Sequence, residues 1–291
     1  MKAAGATSIG GSQNRENQDV FFIKDRTIGV FDGHGRHGLA AATAAATFFK
    51  ASASDASAAA FAAADAVVCA ALPTHETGIV GGTTATVVQI AEDGTLTVAH
   101  VGDSEVWVFD AEDAEGRQIT EDHSPLNLAE YKRVRATAVH PTEFRFCTIN
   151  SWEIGRPVFV AATPGSSDWI LNPAGGHYRC DVRGTWAANI KGHGASLALS
   201  RALGNTDLKP YGISAVPAVI VIPPPARTRV VVVASDGLWD ILTPAEVQTI
   251  VRRDDCDPEA AATALMAAAN EAGTRLFGTD YDNITLVVAY T

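Results

Sequence analysis

The sequence predicts an α+β fold in which helices pack outside antiparallel sheets. Short runs of β-branched residues follow one another in adjacent pairs, as in hairpins, and alanine-rich stretches that favour helices come in blocks between them. Neighbouring strands are joined by tight turns and not by helical crossovers, so a parallel sheet is not indicated. With 291 residues and a hydrophobic content of 47%, the chain is long enough to bury a sizeable core.

Strand and helix patterns alternate along the first half of the chain. Apolar, β-branched runs predict strands at 20–24, 27–31, 84–90, 96–101 and 106–109. The last three are predicted to form an antiparallel meander, because Asp93-Gly94 and Gly102-Asp103 are typical turn residues. Alanine-rich stretches predict helices at 39–50 and 53–71, and residues 126–135 also have a helical pattern.

The last third of the chain repeats this arrangement. Strands are predicted at 219–222, 230–234 and 284–290. Thr243-Pro244-Ala245-Glu246 has the composition of a capping box with proline at the first helical position. Asp257-Pro258 opens another helix, which Gly273 is expected to close.

Residues 136–195 depart from the pattern. Prolines, glycines and the side chains of Trp152, Trp169 and Trp186 are scattered there without clear periodicity. A stretch of this length in a compact domain is typically a functional insertion or an irregular subdomain. We therefore expect a single domain over residues 1–291 with an irregular flap or insertion at 136–195.

Composition argues against several classes of protein. A formal net charge of −11 disfavours nucleic acid and anionic membranes as partners. The four cysteines are far apart and form no CxxC pair, so neither a zinc site nor a disulfide framework is indicated. No stretch reaches the length of a membrane span, and the N-terminus lacks the apolar core of a signal peptide. We expect a monomer in the cytoplasm or the nucleus.

Four short aspartate-bearing segments are spread over the chain. Asp32, Asp103 and Asp236 follow apolar strands, and Asp282 comes just before one. Strand ends are where a rigid sheet can direct carboxylates to a common point, and carboxylates brought together repel one another unless a cation lies between them. An oxygen-only set of this kind suits Mg²⁺ or Mn²⁺, and not zinc. The first hypothesis is a hydrolytic site built around two or more such cations.

A competing motif is Gly33-His34-Gly35-Arg36-His37-Gly38, which fits the dinucleotide-binding pattern G-x-G-x-x-G between a strand and a helix. That pattern also requires a second strand with an acidic residue about 20 residues further on. This chain has a second alanine-rich helix there instead. A dinucleotide-dependent oxidoreductase is therefore disfavoured.

Taken together, the aspartate segments resemble the metal-dependent protein phosphatases of the protein phosphatase 2C (PPM) family. The matching blocks occur in family order and cover nearly the whole chain, from residue 17 to residue 289. The blocks are residues 17–19, 30–35, 82–85 with 98–104, 119–125, 199–204, 235–240 and 282–285.

The resemblance implies a four-layer α-β-β-α sandwich with two central antiparallel sheets flanked by helix pairs. It also implies hydrolysis of phosphoserine and phosphothreonine in protein substrates by a water activated at a binuclear Mg²⁺ or Mn²⁺ centre. Carried over by position, the core metal ligands are Asp32 as the bridging residue, the Gly33 carbonyl, Asp236, Asp282 and, through metal-bound water, Asp19. A third, weaker ion in the family would correspond to Asp103, Asp236 and Asp240.

His34 matches the general acid proposed for the family. The alkoxide of serine or threonine is a poor leaving group, so a proton donor near it is needed. His34 comes directly after Asp32-Gly33 in a glycine-flanked turn, which suits that role. No covalent nucleophile is required, in keeping with the lack of a persuasive Cys or Ser triad in the sequence.

Three departures from the family pattern bear on substrate binding. Asn14 stands where the family often has a phosphate-binding arginine, and Arg15, one place later, is the candidate replacement. Gln18 and Asn205 stand where glutamate and aspartate are usual. No predicted core metal ligand is lost, which favours an active enzyme. The alternative is a catalytically weak, phosphatase-like binding or scaffold protein.

Other polar residues receive mainly structural interpretations. We interpret His37 and His123 as structural or surface residues, and Asp110 as a solvated loop charge. Arg201 is expected either to form a salt bridge with a site carboxylate or to contact the substrate.

Overall fold

The structure is a computed structural model of the chain. It describes residues 1–12, 16–52, 56–73, 80–110, 115–124, 126–137, 143–148, 151–153, 159–172, 182–185, 196–225, 227–252 and 257–291. Within these ranges, none of the helices combines the length and the apolar character that crossing a membrane requires.

Among the described residues, the strands form two large central sheets and two small ones. In chain order the strands are β1 (Lys2–Ser8), β2 (Asp19–Lys24), β3 (Thr27–His34), β4 (Gly82–Thr83), β5 (Ala85–Ile90), β6 (Leu96–Val101), β7 (Glu105–Asp110), β8 (Arg117–Gln118), β9 (Glu143–Thr148), β10 (Ser151–Glu153), β11 (Phe159–Ala161), β12 (Trp169–Leu171), β13 (Val182–Thr185), β14 (Ser196–Leu197), β15 (Leu203–Gly204), β16 (Ala218–Ile222), β17 (Arg229–Ala234) and β18 (Ile284–Tyr290). One central sheet has five strands in the order β1-β18-β17-β7-β8. The other has seven strands in the order β15-β4-β3-β5-β6-β16, with β2 paired to β3.

Helix starts follow local capping chemistry. The helices are α1 (Gly38–Ala51), α2 (Ala58–Ala71), α3 (Leu128–Thr137), α4 (Asp236–Trp239), α5 (Pro244–Val251) and α6 (Pro258–Phe277). The predicted capping box is present at α5, where the Thr243 and Glu246 side chains each accept from the other residue's backbone N–H. Helix α2 begins later than predicted, because the Ser57 hydroxyl caps it by accepting from the Ala60 N–H.

The two central sheets pack face to face, and helices cover their outer faces. Ile28 and Val98 of the seven-stranded sheet lie in one buried cluster with Val231 and Val287 of the five-stranded sheet. Helices α1 and α2 share a second buried cluster with the outer face of the seven-stranded sheet. Helices α5 and α6 share a third with the five-stranded sheet. The predicted four-layer α-β-β-α sandwich is confirmed.

The predicted meander is wrong in one respect. Strands β5 and β6 pair as expected, but β7 leaves for the five-stranded sheet and pairs with β17. The remaining edge of β6 is occupied by β16. The turn at Gly102-Asp103-Ser104 therefore crosses from one sheet to the other, and this places Asp103 at their junction.

One helix end and one strand also differ from the prediction. Gly273 does not close α6, which continues to Phe277 and ends before Gly278. Gly273 lies beside Tyr281 instead, since a Cβ at this position would come within 2.8 Å of the tyrosine ring. Strand β1 was not predicted, although it pairs with β18 along its whole length.

The described parts of 136–195 are more regular than predicted. Strands β9, β10 and β13 form a small antiparallel sheet, and β11 pairs with β12. Trp169 packs against Tyr131, with ring centroids 6.3 Å apart, at the edge of a buried cluster that includes Phe159 and Leu199. Trp186 and the side chain of Trp152 lie outside the described structure.

Candidate metal centre and proton donor

The predicted carboxylates meet where strands of the two central sheets end. Asp19 and Asp32 are direct cross-strand partners in the β2–β3 hairpin. Asp236 begins α4 shortly after β17 ends, and Asp282 lies just before β18. Because β17 and β18 are antiparallel neighbours, the C-terminal end of β17 lies beside the N-terminal end of β18. Residues that are far apart in sequence are thus brought to the same end of the sheet.

The charges of these carboxylates act on one another. Burial raises the pKa of Asp32 well above its usual value, and the charges of neighbouring carboxylates raise it further. In order of effect these neighbours are Asp19, Asp236, Asp282 and Asp103. The pKa of Asp236 is raised in the same way, by burial first and then by Asp103 and Asp282. The fold therefore holds these acids within electrostatic reach of one another.

The cluster is larger than the sequence predicted. Burial raises the pKa of Asp103 to about 7, and the charges of Asp122 and Asp240 add to the effect. Burial and then the charge of Asp240 raise the pKa of Asp122 to about 6. Burial also raises the pKa of Glu105 to about 7, against a hydrogen bond from Trp107. The sequence could have indicated that Asp122 belongs to the cluster, because this residue lies in the matching block 119–125. No sequence signal pointed to Glu105.

Ser235 connects the Asp19 carboxylate to the five-stranded sheet. The Ser235 hydroxyl donates to Oδ2 of Asp19 at 2.8 Å and accepts from the Thr285 N–H at 3.0 Å. Burial raises the pKa of Asp19 to about 6, although the Ser235 hydrogen bond lowers it. The hydroxyl therefore favours the ionised carboxylate.

A pair of side-chain hydroxyl groups holds the backbone of Asp32. The Asp32 N–H donates to Oγ1 of Thr84 at 2.9 Å, and this hydroxyl lies 2.8 Å from Oγ of Ser104. Thr84 and Ser104 are buried. The pair joins the backbone of Asp32 to the turn that carries Asp103.

Asn283 and Gln18 hold the C-terminal segment of the site. The Gln18 N–H donates to Oδ1 of Asn283 at 2.8 Å, and Nδ2 of Asn283 donates to the Ile9 carbonyl at 2.7 Å. The Asn283 N–H also donates to Oδ1 of Asp282 at 2.7 Å. These bonds fix Asp282 next to the start of β2.

Gly33 lies where two backbone segments approach closely. Its N–H donates to the Gln18 carbonyl at 3.2 Å. A Cβ on Gly33 would lie 2.3 Å from the Gly38 carbonyl oxygen and 2.6 Å from that of Gln18. Any larger residue would therefore displace the backbone from which the Gly33 carbonyl projects.

His34 ends strand β3 and is partly buried. Its Nε2 atom lies 2.8 Å from Oδ1 of Asn205. Burial lowers the pKa of His34, and the hydrogen bond with Asn205 acts in the opposite direction. The sequence did not identify Asn205 as a partner of His34, because the two residues are 171 positions apart.

Among the described contacts, Arg201 does not form the predicted salt bridge with a site carboxylate, and its alternative role in substrate contact stays a prediction. Its guanidinium pairs with Glu130, which is not a predicted site carboxylate, with Nη2 at 2.6 Å from Oε1. Arg133 binds the same carboxylate at 2.7 Å. His123 is buried and stacks on His100 with ring centroids 4.3 Å apart, in keeping with a structural role.

Of the two remaining predictions, the structure bears on the one for Asp110. The interpretation of Asp110 as a solvated loop charge is wrong, because its carboxylate lies 2.6 Å from Nε of the buried Arg229. Asn14 and Arg15 lie outside the described residues, so the predicted phosphate ligand stays a prediction.

The donor set suits hard divalent cations. Oδ1 of Asp236 is buried and has no hydrogen-bond partner in the described structure, which is expected of an atom available to a ligand. Carboxylates this close together are unfavourable when ionised unless a positive charge offsets them. Among the described residues, no group of three acidic, histidine or cysteine side chains is arranged as a complete metal-ligand set. The residues fit a divalent metal centre on these terms.

Comparisons with known proteins identify the family of this chain. The family profile described as Protein phosphatase 2C matches residues 11–276. Probable protein phosphatase 2C 72 of Arabidopsis thaliana is 30% identical over 211 residues, which cover 70% of this chain and 53% of the relative. Probable protein phosphatase 2C 61 of the same plant is 29% identical over 192 residues, covering 65% of this chain and 48% of the relative. The chain thus spans about half the length of the curated relatives it matches.

Solved structures share the fold. The serine-threonine phosphatase 2C of Toxoplasma gondii aligns with a TM-score of 0.65 at 20% identity, covering 99% of this chain and 94% of that one. The catalytic domain of the phosphatase PstP, solved with 2 manganese ions, aligns with a TM-score of 0.60 at 18% identity, covering 99% of this chain and 96% of that one. On the evidence of the family profile, which spans most of its length, this chain belongs to the protein phosphatase 2C family.

Proposed function

We propose that this chain is a protein serine/threonine phosphatase that uses a binuclear Mg²⁺ or Mn²⁺ centre. The observation that carries the proposal is the oxygen-rich acid cluster, to which separate segments of a protein phosphatase 2C chain contribute. Such a cluster is costly to maintain without a cation, and its donor atoms are those that Mg²⁺ and Mn²⁺ prefer.

The residues of the cluster have distinct proposed roles. We assign the Asp32 carboxylate, the Gly33 carbonyl, Asp236 and Asp282 to two core ions, with Asp19 acting through ordered water. Asp103, Asp236 and Asp240 are assigned to a third, weaker ion. When bound, these cations would offset the charge of the phosphoryl oxygens and increase the acidity of the attacking water. Arg15 remains the proposed phosphate ligand.

His34 is proposed to protonate the departing serine or threonine oxygen. The P–O bond to this oxygen breaks as water attacks phosphorus, and the alkoxide needs a proton to leave. The ring follows the Asp32-Gly33 pair directly in β3, so it borders the acid cluster without belonging to it. The proposed substrates are phosphoserine and phosphothreonine in proteins.

The test is hydrolysis of p-nitrophenyl phosphate and of a phosphoserine peptide with Mn²⁺, each with and without EDTA. Turnover of both substrates that EDTA abolishes is expected. A well-folded protein that binds Mn²⁺ and hydrolyses neither substrate would favour the phosphatase-like binding or scaffold alternative. Turnover that EDTA leaves unchanged would contradict the metal assignment.

A further inference from the structure

One of the two ring nitrogens of His34 already has a hydrogen-bond partner. Its Nε2 atom lies 2.8 Å from Oδ1 of Asn205. A carbonyl oxygen can only accept, so with the amide oriented this way Nε2 carries a proton. Nε2 therefore cannot deliver its proton to a leaving group while this bond stands. The ring nitrogen that remains for the substrate is Nδ1.

The backbone of Asn205 is fixed relative to His34. His34 pairs with Gly82, and Gly82 pairs with Gly204, so three adjacent strands present a row that ends beside Asn205. The Asn205 N–H donates to the Gly81 carbonyl at 3.0 Å. Asn205 has a φ of 47°, a left-handed conformation that asparagine tolerates better than most residues.

The absence of a side chain at Gly82 leaves room for the contact between His34 and Asn205. A Cβ at Gly82 would lie 2.0 Å from Oδ1 of Asn205 and 2.7 Å from Nε2 of His34. A residue larger than glycine at this position would separate the amide from the ring. The glycine in strand β4 therefore permits the contact between these two side chains.

The Asn205 side chain does not stabilise the loop that carries it. The residue is 1% exposed, and Nδ2 is buried without a partner in the described structure. A buried, unpartnered amide N–H is unfavourable. The loop is anchored separately, because Oδ1 of Asp65 on α2 accepts from the Gly204 N–H at 2.9 Å and from Nζ of Lys209 at 3.0 Å. The described contact of the Asn205 side chain is the one with His34.

We propose that Asn205 is a positioning residue for the phosphatase reaction. It holds the ring through Nε2, so that Nδ1 faces the departing serine or threonine oxygen. The step starts from the ring protonated at both nitrogens, which takes up its Nδ1 proton from solvent. As the bond from the attacking water to phosphorus forms and the P–O bond to the leaving group breaks, the proton on Nδ1 passes to the leaving oxygen and the attacking water releases a proton to solvent. The ring then remains as the Nε2–H tautomer with its bond to Asn205 intact. The inference rests on the proposed function, because it needs His34 to act as the proton donor.

Two substitutions separate this role from loop structure. Asn205→Gly removes the amide and tolerates the left-handed backbone, whereas Asn205→Asp keeps an acceptor oxygen for Nε2. Lys209→Met is the matched control, since it removes the ion pair of the same loop with Asp65 and leaves the His34 contact in place.

The first readout is the tautomer of His34, measured by NMR on metal-free protein labelled with ¹⁵N-histidine and assigned with His34→Gln. The Nε2–H tautomer is expected in the wild type, in Asn205→Asp and in Lys209→Met, and an averaged pattern in Asn205→Gly. The same His34 signals in Asn205→Gly and the wild type would overturn the proposal. This readout does not depend on turnover.

The second readout is leaving-group selectivity. Asn205→Gly should lower kcat for a phosphoserine peptide by about 10²-fold, the order of loss expected from a misplaced catalytic group. The kcat for p-nitrophenyl phosphate should change little, and Asn205→Asp should restore much of the peptide activity. Equal losses on both substrates, or the same selective loss in Lys209→Met, would overturn the role of Asn205. A wild-type protein without turnover on any phosphorylated substrate would contradict the proposed function itself.

Discussion

Oγ of Ser235 donates a hydrogen bond to Oδ2 of Asp19 at 2.8 Å, and this bond joins the two central sheets at the acid cluster. Ser235 follows β17 of the five-stranded sheet, and Asp19 begins β2 of the seven-stranded sheet. Both residues are buried, with Ser235 at 0% and Asp19 at 6% exposure. The geometry of the proposed metal centre therefore depends on a residue that is not one of its ligands.

Ser235→Ala should weaken metal binding. The change removes the hydrogen bond that lowers the pKa of Asp19, so the carboxylate becomes harder to ionise. Loss of such an outer partner typically costs 10–100-fold in metal affinity, and we expect about 10-fold for Mn²⁺ measured by calorimetric titration. Ser8→Ala is a suitable control, since Ser8 bonds to Asn270 and not to the acid cluster. Unchanged Mn²⁺ affinity in Ser235→Ala would mean that Asp19 is oriented by other contacts.

His34→Gln should discriminate between leaving groups. A positioned general acid typically contributes 10²–10⁴-fold, so kcat for a phosphoserine peptide should fall by at least about 10²-fold. Hydrolysis of p-nitrophenyl phosphate should suffer much less, because nitrophenolate leaves without a proton. His37→Gln provides the control within the same turn. Parallel losses on both substrates would mean that His34 orients water or metal instead.

The stability of the metal-free protein should fall as the pH rises. A buried carboxylate with a raised pKa binds its proton more tightly in the folded state, so its contribution is complete below its unfolded pKa of about 4 and is lost as the pH passes the folded value. The folded pKa is about 6 for Asp19 and about 7 for Asp103. The melting temperature in EDTA should therefore decline between about pH 4 and pH 8.

Bound cations should cancel most of this decline, because they stabilise the ionised carboxylates. The difference in melting temperature between samples with Mn²⁺ and with EDTA should therefore grow from pH 5 to pH 8. A difference that stays constant over this range would indicate that the acid cluster does not bind the ion.

Glu130 should be important for stability although it lies outside the proposed chemistry. Its carboxylate accepts from Arg133, Arg201 and Ser200, and together these bonds hold its pKa well below the usual range against the effect of burial. Glu130→Gln should lower the free energy of unfolding by about 3 kcal/mol, the lower end for a broken buried pair because both arginines are partly exposed. The exposed Glu271→Gln is the control, and equal urea midpoints for the two variants would refute a structural role for the Glu130 network.

The sequence predicted most elements of the fold because their signals are local. β-Branched runs, the Thr243 capping box and the Asp93-Gly94 turn each depend on a few neighbouring residues. Strand β1 was missed because Lys2–Ser8 has little β-branched character, and its pairing with β18 joins opposite ends of the chain. The transfer of β7 to the other sheet is also non-local, since it depends on β16 occupying the edge of β6.

The candidate site was predictable to the extent that its chemistry is carried by acidic residues at strand ends. The partners that orient these acids were not, because Ser235, Thr84 and Asn283 are common polar residues whose roles follow from contacts across the fold. The sequence marks Asn205 only as a departure from the family pattern. Its contact with His34 requires three strands to be aligned, which no local pattern encodes.

Asp32 is assigned to a metal centre, and this claim can be tested by titration of Mn²⁺ into the wild type, Asp32→Asn and Asp25→Asn. The two variants make the same change of charge in one hairpin, but Asp25 is exposed, with a φ of 53° that asparagine also tolerates. Asp32→Asn should lose high-affinity Mn²⁺ binding and lower kcat/KM for p-nitrophenyl phosphate by roughly 10³-fold, since a bound cation supplies several kcal/mol of charge stabilisation. Asp25→Asn should match the wild type in both. Wild-type Mn²⁺ affinity and turnover in a folded Asp32→Asn protein would contradict the claim.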